Sequence, residues 1–375
     1  MKITLAVEAL APVLTGIGRY AWELASRLPL HLGTGDVRYY RQGHWVKDPG
    51  LLLQAPATTS GPHQKKRRLR IKTPRWFNEH MLTRDCRGYV FHGPNYFLPP
   101  CTDIGVATVH DLSVFKFPET HPVARIRQFE RDFTASVSRA RHLITDSEAT
   151  RLEVIDFLGW PAARITAVPL GVCSTFAPAS AEATALCLRK YGLVHGGYAL
   201  CVSTLEPRKK IGNLLQAYQC LPPSLRQQTP LVLVGGAGWL SEALHQEIDR
   251  LSAQGWLHYL GFVPEADLPA LYAGAATFIY PSIYEGFGLP VLEAMASGVP
   301  VVTSNRTSLP EVTQGAALLM DPDDIDALAA CIYQSLGDAL WRATAITLGL
   351  AVARELSWDR CVAHTIAVYR GIARD

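Results

Sequence analysis

No run in this sequence approaches 18 uninterrupted apolar residues, so no segment has the length to cross a bilayer as a helix. Net charge is scarce. A formal +3 over 375 residues is too little to mark a nucleic-acid binder by itself. The eight cysteines include no C-x-x-C pair, and their spacings fit neither a zinc nor a disulfide framework. They read as buried thiols of a reducing, cytoplasmic compartment. The opening MKITLAVEALA is interrupted by Glu8 and carries one lysine, which predicts a first β-strand rather than a signal peptide. What is plentiful is apolar surface. Hydrophobic residues make up 48% of the chain and charged residues 18%, enough for a large core, and the length suits two domains.

Short apolar runs alternate with helical patterns, the signature of α/β architecture with parallel sheets. ITLAVEAL (3–10), GYVFHG (88–93), GVATVHD (105–111), HLITDS (142–147) and ITAVPLG (165–171) read as strands. GRYAWELASRL (18–28) and ARIRQFERDFTASVSRA (124–140) read as helices between them. A break at 172–181 contains Pro178, and a second strand series follows: YALCVST (198–204), PLVLVGG (230–236), LHYLGFV (257–263), ATFIYPS (276–282) and PVVTSN (300–305). The expected organisation is a domain over 1–172, a second over 182–356, and a terminal helical segment over 357–375 that packs back on the first. These would be two doubly wound, Rossmann-like domains facing each other across a cleft. Ligands of open parallel sheets bind at the carboxyl ends of strands, so residues such as His110, Gly235 and Glu285 are well placed.

TGIGRYA (15–21) matches the glycine spacing of a dinucleotide-binding turn. That fingerprint needs its first glycine where the strand ends. Here Ala11 to Thr15 intervene, including Pro12, and the acidic Asp36 precedes rather than ends a second strand. The NAD reading is therefore set aside. Gly16 and Gly18 fit better as a loop and helix N-terminus that approach some other phosphate.

YPSIYEGFGLPVLEAMASGVPVVTSN (280–305) reads strand, glycine-rich loop, helix, turn, strand. Gly286 and Gly288 allow close backbone approach to a ligand, and Pro290 suits a first helical turn. Glu285 and Glu293 bracket the loop. Were both helical they would lie roughly 12 Å apart, outside the spacing of a glycosidase acid pair, about 5–9.5 Å. They fit two hydroxyl-accepting positions along an extended ligand instead. STLEPRKKIGNLLQAY (203–218) brings Arg208, Lys209 and Lys210 to the start of another helix, where paired cations would neutralise a diphosphate.

These two stretches, with TGIGRY, FHGPNYFLPP (91–100), TVHDLSVFKFPETHP (108–122), TDSEATR (145–151) and VPLGV (168–172), resemble glycosyltransferase family 4, retaining enzymes of the GT-B fold. The likeness runs nearly the whole chain and is strongest to bacterial mannosyl- and rhamnosyltransferases of surface polysaccharides. It implies that Glu293 binds the donor ribose, and that Glu285 and the backbone of Gly286, Phe287, Gly288 and Leu289 hold the transferred sugar and its phosphates. It implies that Lys209 with Arg208 stabilises the leaving nucleoside diphosphate, and that His110 orients the donor near the reacting carbon. Gly16 and Gly18 would approach the phosphates or the acceptor from the first domain, which would be the acceptor side, while the second domain would bind the nucleotide sugar, with backbone around Phe262 and Val263 contacting the base. Ser203-Thr204 stands where many relatives carry Gly-Arg, and Arg208 would supply the missing charge. The resemblance further implies a GDP-linked mannose or D-rhamnose donor, a glycan or lipid-diphosphate-linked glycan acceptor such as O-antigen, and a same-face transfer in which the departing diphosphate takes the proton.

Neither cofactor nor metal is expected, the nucleotide sugar being a substrate. The match to Asp-x-Asp at Asp321-Pro322-Asp323, followed by Asp324, reads as a helix start. The acid-free basic run HQKKRRLRIKTPRW (63–76) would suit an anionic membrane surface through residues 65–75, making the protein peripheral on the inner face of the cytoplasmic membrane. Two other functions remain open on the same fold. A sugar-nucleotide epimerase would convert donor alone, and a non-catalytic glycan-binding subunit would tolerate loss of Lys209 and Glu285.

Overall fold

The computed structural model describes residues 1–54, 75–120, 123–236 and 242–373. Two sheets organise them. The first contains β1 (Ile3–Ala6), β2 (Val37–Arg41), β3 (His44–Val46), β4 (Val90–Gly93), β5 (Ile104–Val109), β6 (Ala140–Thr145) and β7 (Ile165–Ala167), in the order β3-β2-β1-β4-β5-β6-β7. The second contains β8 (Ala199–Val202), β9 (Leu231–Val234), β10 (Leu257–Gly261), β11 (Thr277–Tyr280), β12 (Val301–Ser304) and β13 (Ala317–Met320), in the order β10-β9-β8-β11-β12-β13. Every pairing is parallel except β2 with β3. That hairpin turns through Gln42 and Gly43, both at positive φ, as a two-residue hairpin loop requires. The central strands are largely apolar and buried, Leu231–Val234 throughout and Ile3–Ala6 with Thr4 as its one polar residue, because helices cover both faces of a parallel sheet.

Strand order sets the position of the site. In the first sheet the chain steps outward from β1 to β2, then returns to place β4 on the other side of β1. The second sheet repeats this at β8, with β9 on one side and β11 on the other. Loops leaving the two strands at such a switch point diverge to opposite faces and leave a crevice at the carboxyl edge. The segments that follow β1, β4, β8 and β11 face one another across it.

The chain passes between the halves twice, and the two passages touch. Val172 bridges to Ser357, and a Cβ on Gly171 would sit 2.0 Å from the Trp358 nitrogen, so only glycine fits that crossing. The helix Trp358–Ile372 then lies on the first sheet's side. Tyr369 hydrogen-bonds His92 Nδ1 at 2.6 Å, and Asp359 pairs with Arg27 of the helix Gly16–Leu32 at 2.5 Å. No single helix among the described residues is long and apolar enough to cross a membrane. The basic run at 65–74 lies outside the described residues, and Arg75 is described only as backbone of a helix.

Candidate active site

A cavity of about 970 Å³ lies between the two sheets. Thr15, Gly16 and Ile17 follow β1; Asn95 and Tyr96 follow β4; His110 and Asp111 follow β5. Ser203, Arg208 and Lys209 follow β8, and Glu285 to Pro290 follow β11. Of the residues singled out in the sequence, the fold brings Gly16, His110, Ser203, Arg208, Lys209, Glu285, Gly286, Phe287, Gly288 and Leu289 to this one wall-to-wall space. Gly18, Val263 and Glu293 stand off it. Gly18 is spent in its own helix, where its N–H donates to the N-cap Thr15 Oγ1 at 3.2 Å. Val263 is buried in the core while Phe262 beside it is exposed. Glu293 lies one turn into the helix Leu289–Ala296, half-buried and outside the residues that line the cavity.

The electrostatic centre is a cluster built from two neighbouring loops. Because β8 and β11 pair, the short turn Pro207–Lys209 rests on the segment after β11, and Ile283 N–H donates to the Arg208 carbonyl at 2.9 Å. Lys209 is only 6% exposed, yet its ammonium donates to Glu285 Oε1 and, at 2.7 Å, to Tyr280 Oη. Arg208 donates to Glu206 at 2.9 Å and the Tyr284 carbonyl at 3.0 Å, and lies 3.6 Å from the second Glu285 oxygen. Burial alone would raise the Glu285 carboxyl, but the Lys209 and Arg208 charges outweigh it and hold the group at about 2. Burial lowers Lys209, with the Glu285 charge opposing, while Glu285 and Glu206 raise Arg208 against its burial. Lys209 is matched by Glu285, and Arg208 is shared between Glu206 and Glu285, so the pocket wall presents two fixed cations whose charge is balanced within the protein until a ligand competes for them.

The loop itself is held open by hydroxyls that sequence reasoning missed. Ser308 Oγ donates to the carbonyls of Glu285 and Phe287 at 2.9 and 2.7 Å, and Thr307 Oγ1 accepts from Glu285 N–H at 3.1 Å. Serine and threonine beyond β12 carry no motif; only pairing of β11 with β12 puts them there. With its carbonyls engaged, the loop leaves the N–H groups of Phe287, Gly288 and Leu289 without an acceptor among the described residues. Those amides, with Pro290 in the first turn, form the partly positive end of a helix. Gly288 sits at φ 111°, a conformation that costs side-chain-bearing residues. A Cβ on Gly286 would fall 1.7 Å from the His110 carbonyl oxygen.

His110 lines the cavity with both ring nitrogens engaged by the protein. Nδ1 lies 2.7 Å from Asp146 Oδ2 and Nε2 lies 2.8 Å from the Pro94 carbonyl. Both partners only accept, so this geometry suits the doubly protonated ring. Burial pulls the His110 pKa down, but Asp146 and the Pro94 carbonyl carry it above the ordinary histidine value. The ring is therefore committed to the protein, and what His110 turns toward the loop is its main chain, against Gly286.

The two halves are fastened around this site. Ser147 and Thr150 hydroxyls donate to the Gly286 carbonyl at 2.7 and 3.0 Å, and Leu112 N–H donates to Tyr284 Oη at 2.9 Å. The Glu311 carboxylate accepts from the first amides of the helix Glu148–Leu158, Glu148 at 2.8 Å and Ala149 at 3.0 Å. Arg19 pairs with Glu265.

Among the described residues no cluster of three metal-type ligands occurs. Asp324 is the N-cap of the helix Ile325–Gly337 and accepts from Ala327 N–H at 2.9 Å. Asp321 pairs with Arg306 and Asp323 with Lys210, both at 2.7 Å. Glu293 is held up at about 7 by its burial, against the nearby Tyr272 hydroxyl and Arg19 charge.

Residues 194–344 match the family model described as "Glycosyl transferases group 1". Over 99% of its length the chain is 41% identical to the whole of the Escherichia coli protein "O-antigen chain mannosyltransferase B". It is 32% identical over 62% of its length to the "Serotype-specific mannosyltransferase WbdA" of E. coli, covering 29% of that longer protein. The crystal structure of Anabaena HepE in complex with UDP and glucose superposes with a TM-score of 0.70 at 20% identity, covering 98% of this chain and 99% of the other, which is a likeness of fold. The chain belongs to the group 1 glycosyltransferases, with the two-sheet GT-B architecture, and is an enzyme of that family.

Proposed function

We propose that this glycosyltransferase transfers mannose from GDP-mannose, with GDP-D-rhamnose the related alternative, to a growing lipid-linked O-antigen-type polysaccharide. The observation that carries the reading is the buried Arg208–Lys209–Glu285 cluster beside three unpartnered loop amides. A nucleoside diphosphate leaving group develops negative charge, and fixed cations with a helix N-terminus stabilise that charge in a site shielded from water. Support for the sugar comes from the full-length similarity to an O-antigen mannosyltransferase.

In this reading Lys209 and Arg208 receive the departing diphosphate, the amides of Phe287, Gly288 and Leu289 bind its oxygens, and Gly16 with Ile17 approaches from the opposite wall. Glu285 accepts a hydroxyl of the transferred sugar and Glu293 accepts the ribose hydroxyls. Side-chain cations occupy the place that a divalent metal would take, so no metal is required. The acceptor hydroxyl enters on the face the diphosphate leaves, the diphosphate oxygen takes its proton, and the anomeric configuration is retained. The basic segment 65–75 would hold the enzyme at an anionic membrane surface where a lipid-linked acceptor resides, on the inner face of the cytoplasmic membrane.

The test is transfer from GDP-, UDP-, ADP- and dTDP-sugars to mannoside acceptors, with and without EDTA, with proton NMR of the product. We expect transfer from GDP-mannose, unaffected by chelator, giving an α-linked product. Activity with another base alone, loss of activity in EDTA with rescue by manganese, or conversion of the donor without acceptor would each overturn a stated part.

A further inference from the structure

A second cavity, of about 350 Å³, runs off the first-domain side of the cleft and shares Asn95, Phe97 and Asp132 with it. It opens between the segment after β1, the segment after β4 and the helix Val123–Arg139. Its volume falls within the range of small-molecule sites, about 300–1,000 Å³.

The lining decides what class of ligand it suits. Glu8 and Asp132 are carboxylates with exposed or half-exposed side chains, and Asn95 has a side-chain amide with no hydrogen-bond partner among the described residues. Glu8 accepts one backbone N–H, from Gln42 at 3.1 Å, and Arg139 donates to the Leu98 carbonyl at 3.3 Å. Asp132 accepts one N–H from the neighbouring Arg131 at 3.1 Å, so each carboxylate keeps acceptor sites to spare. Between these polar groups stand the rings of Tyr40 and Phe97. Two carboxylates against one guanidinium disfavour an anion, so this is no second diphosphate site. Charged groups around the mouth disfavour an acyl chain. Carboxylates that accept paired hydroxyls, an amide that both donates and accepts, and ring faces for an apolar C–H surface are the chemistry of a neutral saccharide.

Position supplies the rest. The cation cluster fixes the leaving group on the second-domain wall, so an acceptor sugar must approach from the first-domain wall. A saccharide acceptor longer than one residue must then continue away from the reaction centre, along the path on which this cavity lies. We propose that the cavity is an acceptor subsite, holding a sugar of the growing chain behind the residue that is glycosylated. The proposal rests on the glycosyltransferase reading above and adds where the acceptor chain binds.

The test uses two variants of residues that line this cavity and not the main cleft. Glu8→Gln removes a charged hydrogen-bond acceptor, and Ala135→Trp fills the space. The readout is the ratio of kcat/KM for a mannose di- or trisaccharide glycoside to that for the monosaccharide glycoside. In the wild type we expect the longer acceptor to be favoured by roughly tenfold or more, the effect of a hydrogen bond to a charged group, and both variants to bring the ratio toward one. A ratio near one in the wild type, or a ratio preserved in both variants, overturns the subsite. Calorimetric titration of the trisaccharide glycoside into enzyme saturated with GDP gives a second reading without turnover. Roughly tenfold weaker binding by both variants supports the subsite, and equal affinity removes it. Failure to transfer from any donor, with the titration intact, counts against the proposed function instead.

Discussion

Lys209 shows how one residue serves both fold and site. An ammonium this buried is unfavourable unless compensated, and Glu285 with Tyr280 compensates it. Removing one partner of a buried pair strands the other, at a cost of about 3–5 kcal/mol; here Arg208, 3.6 Å from Glu285, remains as a second partner. Lys209→Ala should therefore stay folded and lose roughly 10²–10³ in kcat, as when one transition-state donor is removed. Steady-state rates on enzyme verified by circular dichroism check this, and a wild-type rate would remove its role. Glu293 gives a pH signature. Held at about 7 in the folded protein and near 4.5 when unfolded, it keeps its proton longer in the native state. Stability therefore falls as pH rises from about 4.5 to about 7, and Glu293→Gln should flatten that part of the curve in thermal melts. The carboxylate that would accept the ribose hydroxyls forms only as pH passes about 7, so donor KM should fall as pH rises through about 7 in the wild type and stay level in the variant.

At the scale of elements, loops after strands carry the chemistry and caps decide where helices begin. Asp324 is such a cap, and Asp324→Ala should cost about 0.5–2 kcal/mol in urea denaturation with kcat unchanged in EDTA; an activity lost and restored by added manganese would mark a metal ligand instead. Gly286→Ala tests the loop. Its methyl would overlap the His110 carbonyl, so the variant should fold with an intact second sheet yet transfer poorly, with far-UV circular dichroism near wild type. Much of this level was legible. LVLV, TFIY and VVTS are continuous buried runs and form β9, β11 and β12. GFGLP announced a loop entering a helix, found at Leu289–Ala296. ALLM, which forms the edge strand β13, was missed because four apolar residues before a helix carry no period of their own. The β2–β3 hairpin was half seen, since its second strand is three residues long and largely exposed.

Across the whole molecule, one buried apolar cluster carries residues of both halves, Leu5 and Leu170 as well as Phe287 and Leu292, and hydrogen bonds fasten the halves around the cleft. Glu311 caps a helix of the first half from the second, and Ser147, Thr150 and Tyr284 tie the GFG loop to the opposite wall. Glu311→Ala should leave each half intact and loosen the closed arrangement, seen as a larger radius of gyration in small-angle scattering without ligand and recovered on adding GDP. An unchanged radius would show that Glu311 does not hold closure. The sequence by itself determined the fold class, the two-domain plan and the cluster-forming residues, because hydrophobic period, glycine-proline punctuation and charge are local properties of the chain. Tertiary structure alone decided that β8 and β11 are neighbours, so that Lys209, with Arg208 beside it, meets Glu285 from 76 residues away. It also decided that both His110 nitrogens are consumed by Asp146 and Pro94, that Gly18 is spent in a cap, and that a side cavity adjoins the cleft. Strand order and hydrogen-bond partners depend on contacts between distant segments, and no local pattern encodes which partner a group will find.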